Sequence, residues 1–418
     1  MDAVFIFKSN TRGMQYGIGS YINELTEALL TISNLDIYIV SYYYWQSKEF
    51  EIKKISPNLD EIIIPAPLNS IDSNKHEKYY ALAVARLLSV VIDRYQSVIF
   101  QINYINDLQI AKELKRLYDF PIVSVVHFAQ WQQIFNGDIK KLSGLNINNP
   151  TNNVEFTLSV EREMYRISDR IISVTSYMKD FLVDYYGIDH NKITVIPNGL
   201  NKCKYYRIDE TEKAALRKRL GFEANEIIIL FSGRIDACKG IFHLIEAFEV
   251  ASSQNSNLRL VLIGQGEIAE CQKRMKTSFG KVNFPGFLSK ELLMSFYHIA
   301  DMGIAPSVYD HCPYTILEMM ASRIPIIASR ISGLNEILDD NQCLFINPVI
   351  DDNGNITFNS KELSDAILTL AGDSSLRNKL ANNSYKNLCE KYSAIRMAEE
   401  MNKLYMSTIK SCNKVSKK

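Results

Sequence analysis

Short runs of β-branched and aromatic residues alternate with longer amphipathic stretches along the whole chain. In the first half, strands are predicted at 3–7, 36–41, 61–64, 97–101, 121–126, 170–174 and 192–196. Helices are predicted between most of them, at 18–33, 75–95, 106–118, 153–168 and 175–186. The strand runs are apolar almost throughout, as expected of strands buried on both faces. Strands alternating with helices predict a parallel sheet covered on both sides. A Pro-Asn-Gly turn at 197–199 and a polar stretch over 200–225, with a charged helix around 210–220, mark a boundary. A second series of strands follows at 226–232, 258–263, 281–284, 302–305, 324–328 and 343–346. The pattern therefore predicts an α/β chain of two Rossmann-like doubly wound domains, 1–200 and 201–391, facing each other across a cleft. A terminal helix at 392–411 is expected to pack back on the first domain. In open sheets of this kind ligands bind beyond the carboxyl ends of the strands, so the loops there are where chemistry is sought.

One stretch breaks the alternation. Residues 129–152 are polar, contain Trp131 and follow the strand that ends at His127. They read either as a loop shaping the mouth of a site or as a surface excursion.

Composition narrows the function classes. Lys+Arg and Asp+Glu number 47 each among 418 residues, so no global basic field draws the chain to nucleic acid. The seven cysteines form no CxxC pair and none precedes Cys203, which argues for a reducing cytosol rather than a disulfide framework. The start, MDAVFIFKSN, reads as a strand and not as a signal peptide. The longest apolar stretch, 81–92, is interrupted by Arg86 and too short to span a bilayer. A cytoplasmic protein is expected, with membrane contact at most peripheral.

Two segments carry the strongest chemical signal. In FSGRIDACKGIFHLIEAF (231–248) a strand ends at Ser232 and Gly233 opens a turn. Arg234 and Lys239 bracket the short loop before a helix. Two cations at a strand end beside a helix N-terminus form a cradle for a diphosphate, Arg as a fork and Lys as a point charge. In YDHCPYTILEMMASRIPIIAS (309–329) Asp310 precedes a helix and Glu318 lies inside it, eight residues on. Each carboxylate can accept hydrogen bonds from adjacent sugar hydroxyls. The amides of Tyr314, Thr315 and Ile316 at that helix N-terminus are expected to face a phosphate. In MQYGIGSYINEL (14–25) Gly17 and Gly19 fall between the first strand and the first helix, where the backbone can approach an anion closely. A dinucleotide fingerprint is not completed, because Ile22 stands where a third glycine is needed. No Asp-x-Asp occurs, and no Ser/His/Asp constellation or Cys/His pair at ligand spacing is seen.

The order and spacing of IPNGL (196–200), SGRIDACKG (232–240), LVLIGQGE (260–267), VNFPGFLSKELL (282–293) and DHCPYTILEMMAS (310–322) resemble the donor half of retaining GT-B glycosyltransferases of family 4. The resemblance implies transfer of a hexosyl group, with retention, from a nucleotide-diphosphate sugar (UDP- or GDP-sugar) to an acceptor hydroxyl, as in bacterial glycan or glycoconjugate synthesis. Arg234 and Lys239 would hold and stabilise the leaving diphosphate, and Glu318 the ribose. Asp310 would face the transferred sugar, at a position where the family usually has Glu. Backbone groups at Phe287 and Leu288 would read the base. His127 would contact the donor sugar, and the Gly17–Gly19 loop the donor phosphate or the acceptor. The acceptor implied is a glycan, a lipid-linked sugar or a peptide. No metal and no cofactor beyond the nucleotide sugar are expected. Two alternatives stay open: a catalytically silent partner that binds nucleotide sugar, and a sugar-nucleotide epimerase.

Overall fold

The computed structural model describes residues 2–10, 17–67, 73–351 and 356–415. The chain clusters into two compact units. The first comprises 1–130, 144–199 and 394–418, the second 131–143 and 200–393. Residues 131–143, expected in the first domain, thus belong to the second unit, and the C-terminal helix belongs to the first.

The first unit holds β1 (Asp2–Ser9), β2 (Asp36–Tyr44), β3 (Glu51–Ser56), β4 (Leu59–Pro65), β5 (Ser97–Ile102), β6 (Ile122–Val126), β7 (Arg170–Ser173) and β8 (Ile193–Val195). They form one sheet in the order β3-β4-β2-β1-β5-β6-β7-β8. Every pair is parallel except the antiparallel β3–β4 edge. The strands β1, β5 and β6 are buried nearly end to end, which is why their sequence runs are apolar without alternation. The strand β3, EIKKIS, is largely exposed and carries Lys53 and Lys54, a common guard of a sheet edge. The helix Ala394–Val415 packs against the helix Gly17–Ile32, which follows β1.

The second unit holds β9 (Ile227–Ser232), β10 (Leu258–Ile263), β11 (Val282–Gly286), β12 (Met302–Ala305), β13 (Ile326–Ser329) and β14 (Cys343–Ile346). Their order is β11-β10-β9-β12-β13-β14, all parallel. A small antiparallel pair, β15 (Pro348–Ile350) and β16 (Ile356–Phe358), follows. The sheet order reverses between β9 and β12: the chain runs outward through β10 and β11 and returns on the other side of β9. That topological switch point is where an open α/β sheet leaves room for a ligand. The loops after β9 and β12, which carry Arg234, Lys239 and Asp310, both start there.

Among the described residues, no helix is long and apolar enough to cross a membrane.

Candidate functional site

The loop after β9 is built tightly. The amide of Gly233 donates to Ile263 O at 2.9 Å and that of Ile235 to Gln265 O at 2.9 Å, so the loop lies along the end of β10. Asp236 then caps the turn Ala237–Lys239, its Oδ1 accepting from the Lys239 amide at 3.1 Å. The turn closes on Gly240 at φ 67°, and the helix Ile241–Gln254 begins. A Cβ at Gly240 would lie 1.8 Å from Pro306 O, so the two loops touch backbone to backbone at that point. The amide of Val308 reaches back to Cys238 O at 2.9 Å.

This contact brings the predicted charged groups together. Lys239 Nζ donates to Asp310 Oδ2 at 2.5 Å, and Ser307 Oγ donates to the same oxygen at 3.1 Å. The other oxygen of Asp310 accepts from the His311 amide at 3.1 Å. Arg234 Nη1 lies 3.0 Å from Asp236 Oδ2, with two-fifths of its side chain exposed. Both cations are therefore held by carboxylates at the carboxyl edge of the sheet while keeping part of their surface open to solvent.

Glu318 lies one helix away, in Tyr314–Ala321. Its Oε1 accepts from Tyr205 Oη at 3.1 Å and its Oε2 from Tyr297 Oη at 2.8 Å. The two phenol rings meet edge to face, with centroids 6.4 Å apart. Burial, and then the neighbouring Glu318 charge, push the Tyr297 phenol well above its ordinary range. It stays protonated, and so a donor, through the neutral range.

The remaining predicted positions divide. Pro313 is the N-cap of Tyr314–Ala321. The Ile316 amide is not left for a phosphate, because the tight first turn directs it to Pro313 O at 3.2 Å. Tyr314 and Ile316 are buried, and Thr315 is half-buried at the helix mouth. Phe287, 48% exposed, and Leu288 follow the end of β11. In the first unit, Gly17 and Gly19 do not lie in a loop: both are within the helix Gly17–Ile32. Among the described residues, nothing lies within 4 Å of where a Cβ at Gly17 would be. The rest of that predicted glycine segment, 14–16, lies outside the described residues. His127 follows β6, its ring edge-on to Tyr21 at 4.7 Å. Burial lowers its pKa to about 3, so it is a neutral imidazole and not a cation, and its Nε2 has no hydrogen-bond partner among the described residues.

Sequence reasoning missed several members. Asp236 and Ser307 lie in the loops already singled out, but nothing in their spacing marked them. Tyr205 lies in the polar stretch assigned to the boundary, and Tyr297 in the helix Lys290–Ile299, where it reads as an ordinary core aromatic. Gln132 comes from the polar segment that broke the alternation. Its Oε1 lies 2.6 Å from Nε2 of His311. Burial lowers the His311 pKa to about 4, so the neutral ring carries its proton on that nitrogen and donates it to Gln132. The segment is therefore no mere surface excursion: it touches the residue next to Asp310. Among the described residues, no three His, Cys, Asp or Glu side chains gather to hold a metal ion.

Residues 212–387 match the family model of glycosyl transferases group 1, and residues 16–202 that of glycosyltransferase family 4. The chain is 28% identical over 243 residues to an uncharacterised glycosyltransferase of Methanocaldococcus jannaschii, covering 57% of this chain and 60% of that protein. The curated relatives it matches are covered over only about half their length, 40–65%. Sucrose-phosphate synthase from Thermosynechococcus elongatus has the same fold, with a TM-score of 0.77 at 19% identity over 98% of this chain and all of that one. So has Anabaena HepE, solved in complex with UDP-glucose, with a TM-score of 0.70 at 17% identity over 97% of this chain and all of that one. Two family models that together run through nearly the whole chain, a reversed sheet order with its charged loops at the switch point, and these neighbours agree: the chain belongs to the GT-B glycosyltransferases of the group 1, family 4 type.

Proposed function

We propose that the protein transfers a hexosyl group from a nucleoside-diphosphate sugar, UDP- or GDP-linked, to a hydroxyl of a glycan or glycoconjugate, with retention and without a metal in the chemical step. The observation that carries this reading is the 2.5 Å contact between Lys239 and Asp310, which joins the two switch-point loops. It puts a phosphate-binding cation beside a carboxylate suited to sugar hydroxyls. The UDP-glucose complex of the structural neighbour HepE supports a nucleotide sugar as donor.

In this reading the bond between the anomeric carbon and the diphosphate oxygen breaks as the diphosphate gathers charge against Arg234 and Lys239. The acceptor oxygen bonds to the anomeric carbon on the same face, and its proton passes to an oxygen of the departing phosphate. The chain supplies position and fixed positive charge in place of a dedicated base. His127, neutral by burial, can take part only as a hydrogen-bonding group.

The test is transfer or slow donor hydrolysis by Lys239→Ala, with the anomeric configuration of the product read by NMR. Removing one charge stabiliser of this kind lowers kcat by about 10²–10³-fold. The variant is expected to lose activity on that scale while melting near the wild type, and the wild-type product to keep the donor's configuration. Full activity in Lys239→Ala sinks the diphosphate assignment, and an inverted product sinks retention.

A further inference from the structure

We propose that Tyr297 and Tyr205 are positioning residues that hold the Glu318 carboxylate as a clamp for the nucleotide's ribose. The proposal rests on the reading of Glu318 as the ribose-binding acid.

An ionised carboxylate has about four lone-pair directions on two oxygens and accepts only. A side chain with three rotatable bonds sweeps these through many orientations unless something fixes the plane. Here one phenol donates to each oxygen, at 3.1 and 2.8 Å. The phenols come from different parts of the unit: Tyr205 from the stretch following β8, Tyr297 from the helix between β11 and β12. Two donors from separate elements on separate oxygens define the carboxylate plane, which a single donor cannot do. Both phenols are buried and lock edge to face, so neither is free to turn away. Hydrogen bonds to a charged acceptor are also the strong ones, so the pair holds the carboxylate in one orientation, ready to accept from a 2′,3′-diol. A clamp of this kind acts on the sugar hydroxyls alone, and this separates it from a merely structural pair of tyrosines.

The test uses isothermal titration of wild type, Y297F and Y205F with UDP, GDP and their 2′-deoxy forms. For the nucleotide that binds, wild type is expected to prefer the ribo form by about tenfold, the scale of one hydrogen bond to a charged group. In Y297F that preference falls to within about threefold, while affinity for the 2′-deoxy form stays within about twofold of wild type. Y205F shows the same trend and carries the test alone should Y297F fail to fold. If the variants weaken both forms equally and keep the tenfold preference, the tyrosines are structural and the proposal is overturned. If wild type itself does not distinguish the ribo from the deoxy form, Glu318 does not hold the ribose and the proposal falls with that reading.

Discussion

Lys239 and Asp310 show how one contact can serve both the fold and the chemistry. A partly buried ion pair contributes little net stability when desolvation is counted, and Asp310 keeps the Ser307 hydroxyl and the His311 amide as partners when Lys239 is removed. Asp310 thus keeps Lys239 aimed at the carboxyl edge of the sheet, and its Ser307 and backbone partners keep Asp310 in place. The first unit has a polar residue of a different character. Asp107 is buried and accepts from Tyr42, and burial raises its pKa to about 7. Its folded-state pKa lies above the ordinary value, so the folded protein binds a proton there that the unfolded chain releases. The stability contributed by the protonated carboxyl is full below about pH 4, falls as the pH rises towards 7 and is flat above that. Asp107→Asn lacks this titration. Denaturation at pH 5 and pH 8 is expected to show wild type losing stability relative to the variant as the pH rises. An unchanged difference would mean that Asp107 is ionised in the folded state.

At the level of elements, the alternation of apolar runs and amphipathic stretches was legible because the central strands of both sheets are buried on both faces. The strand β3 escaped it: EIKKIS has no buried face, so no apolar pattern records it, and only pairing with β4 makes it a strand. The pair β15–β16 is short and half-exposed and escaped for the same reason. Arg234, Lys239 and Asp310 could be singled out as candidates because they follow predicted strand ends, where ligands of open α/β sheets bind. Tyr205 and Tyr297 could not, because a buried tyrosine looks like core until its hydroxyl partner is seen. Gln132 could not either, because its partner His311 is 179 residues away. The Gly17–Gly19 pair misled in placement: both glycines lie within the helix, not in a loop before it. The junction at Gly240 makes an element-scale prediction. Gly240→Ala adds a Cβ in the left-handed region and 1.8 Å from Pro306 O, whereas Gly221→Ala, at φ 83°, adds one with nothing within 4 Å. Gly221→Ala is expected to cost only the conformational strain, about 1–2 kcal/mol. Gly240→Ala should cost more than that in urea denaturation and also weaken nucleotide binding, because it parts the loops carrying Lys239 and Asp310. Equal costs with intact binding would mean that the Gly240–Pro306 approach is not what holds the loops together.

For the whole molecule, the two units differ in how directly they bear on function. The second gathers Arg234, Lys239, Asp310 and Glu318 on neighbouring loops of one sheet. In the first, Tyr42 and Tyr43 lie near the end of β2, and Tyr80 of the helix Ser73–Leu87 stacks on Tyr43. The central claim is that the second unit is a nucleotide-sugar site whose diphosphate rests on Arg234 and Lys239. A ligand that binds only the folded state raises stability by RT ln(1 + [L]/Kd), about 2.7 kcal/mol at 100 times Kd. The most direct measurement is therefore the melting temperature of wild type, Arg234→Ala and Lys239→Ala against a panel of UDP- and GDP-sugars. At least one nucleotide sugar is predicted to raise the wild-type melting temperature by several degrees, and neither variant should respond to it although both melt normally without it. Equal stabilisation of all three proteins, or none by any member of the panel, would contradict the claim.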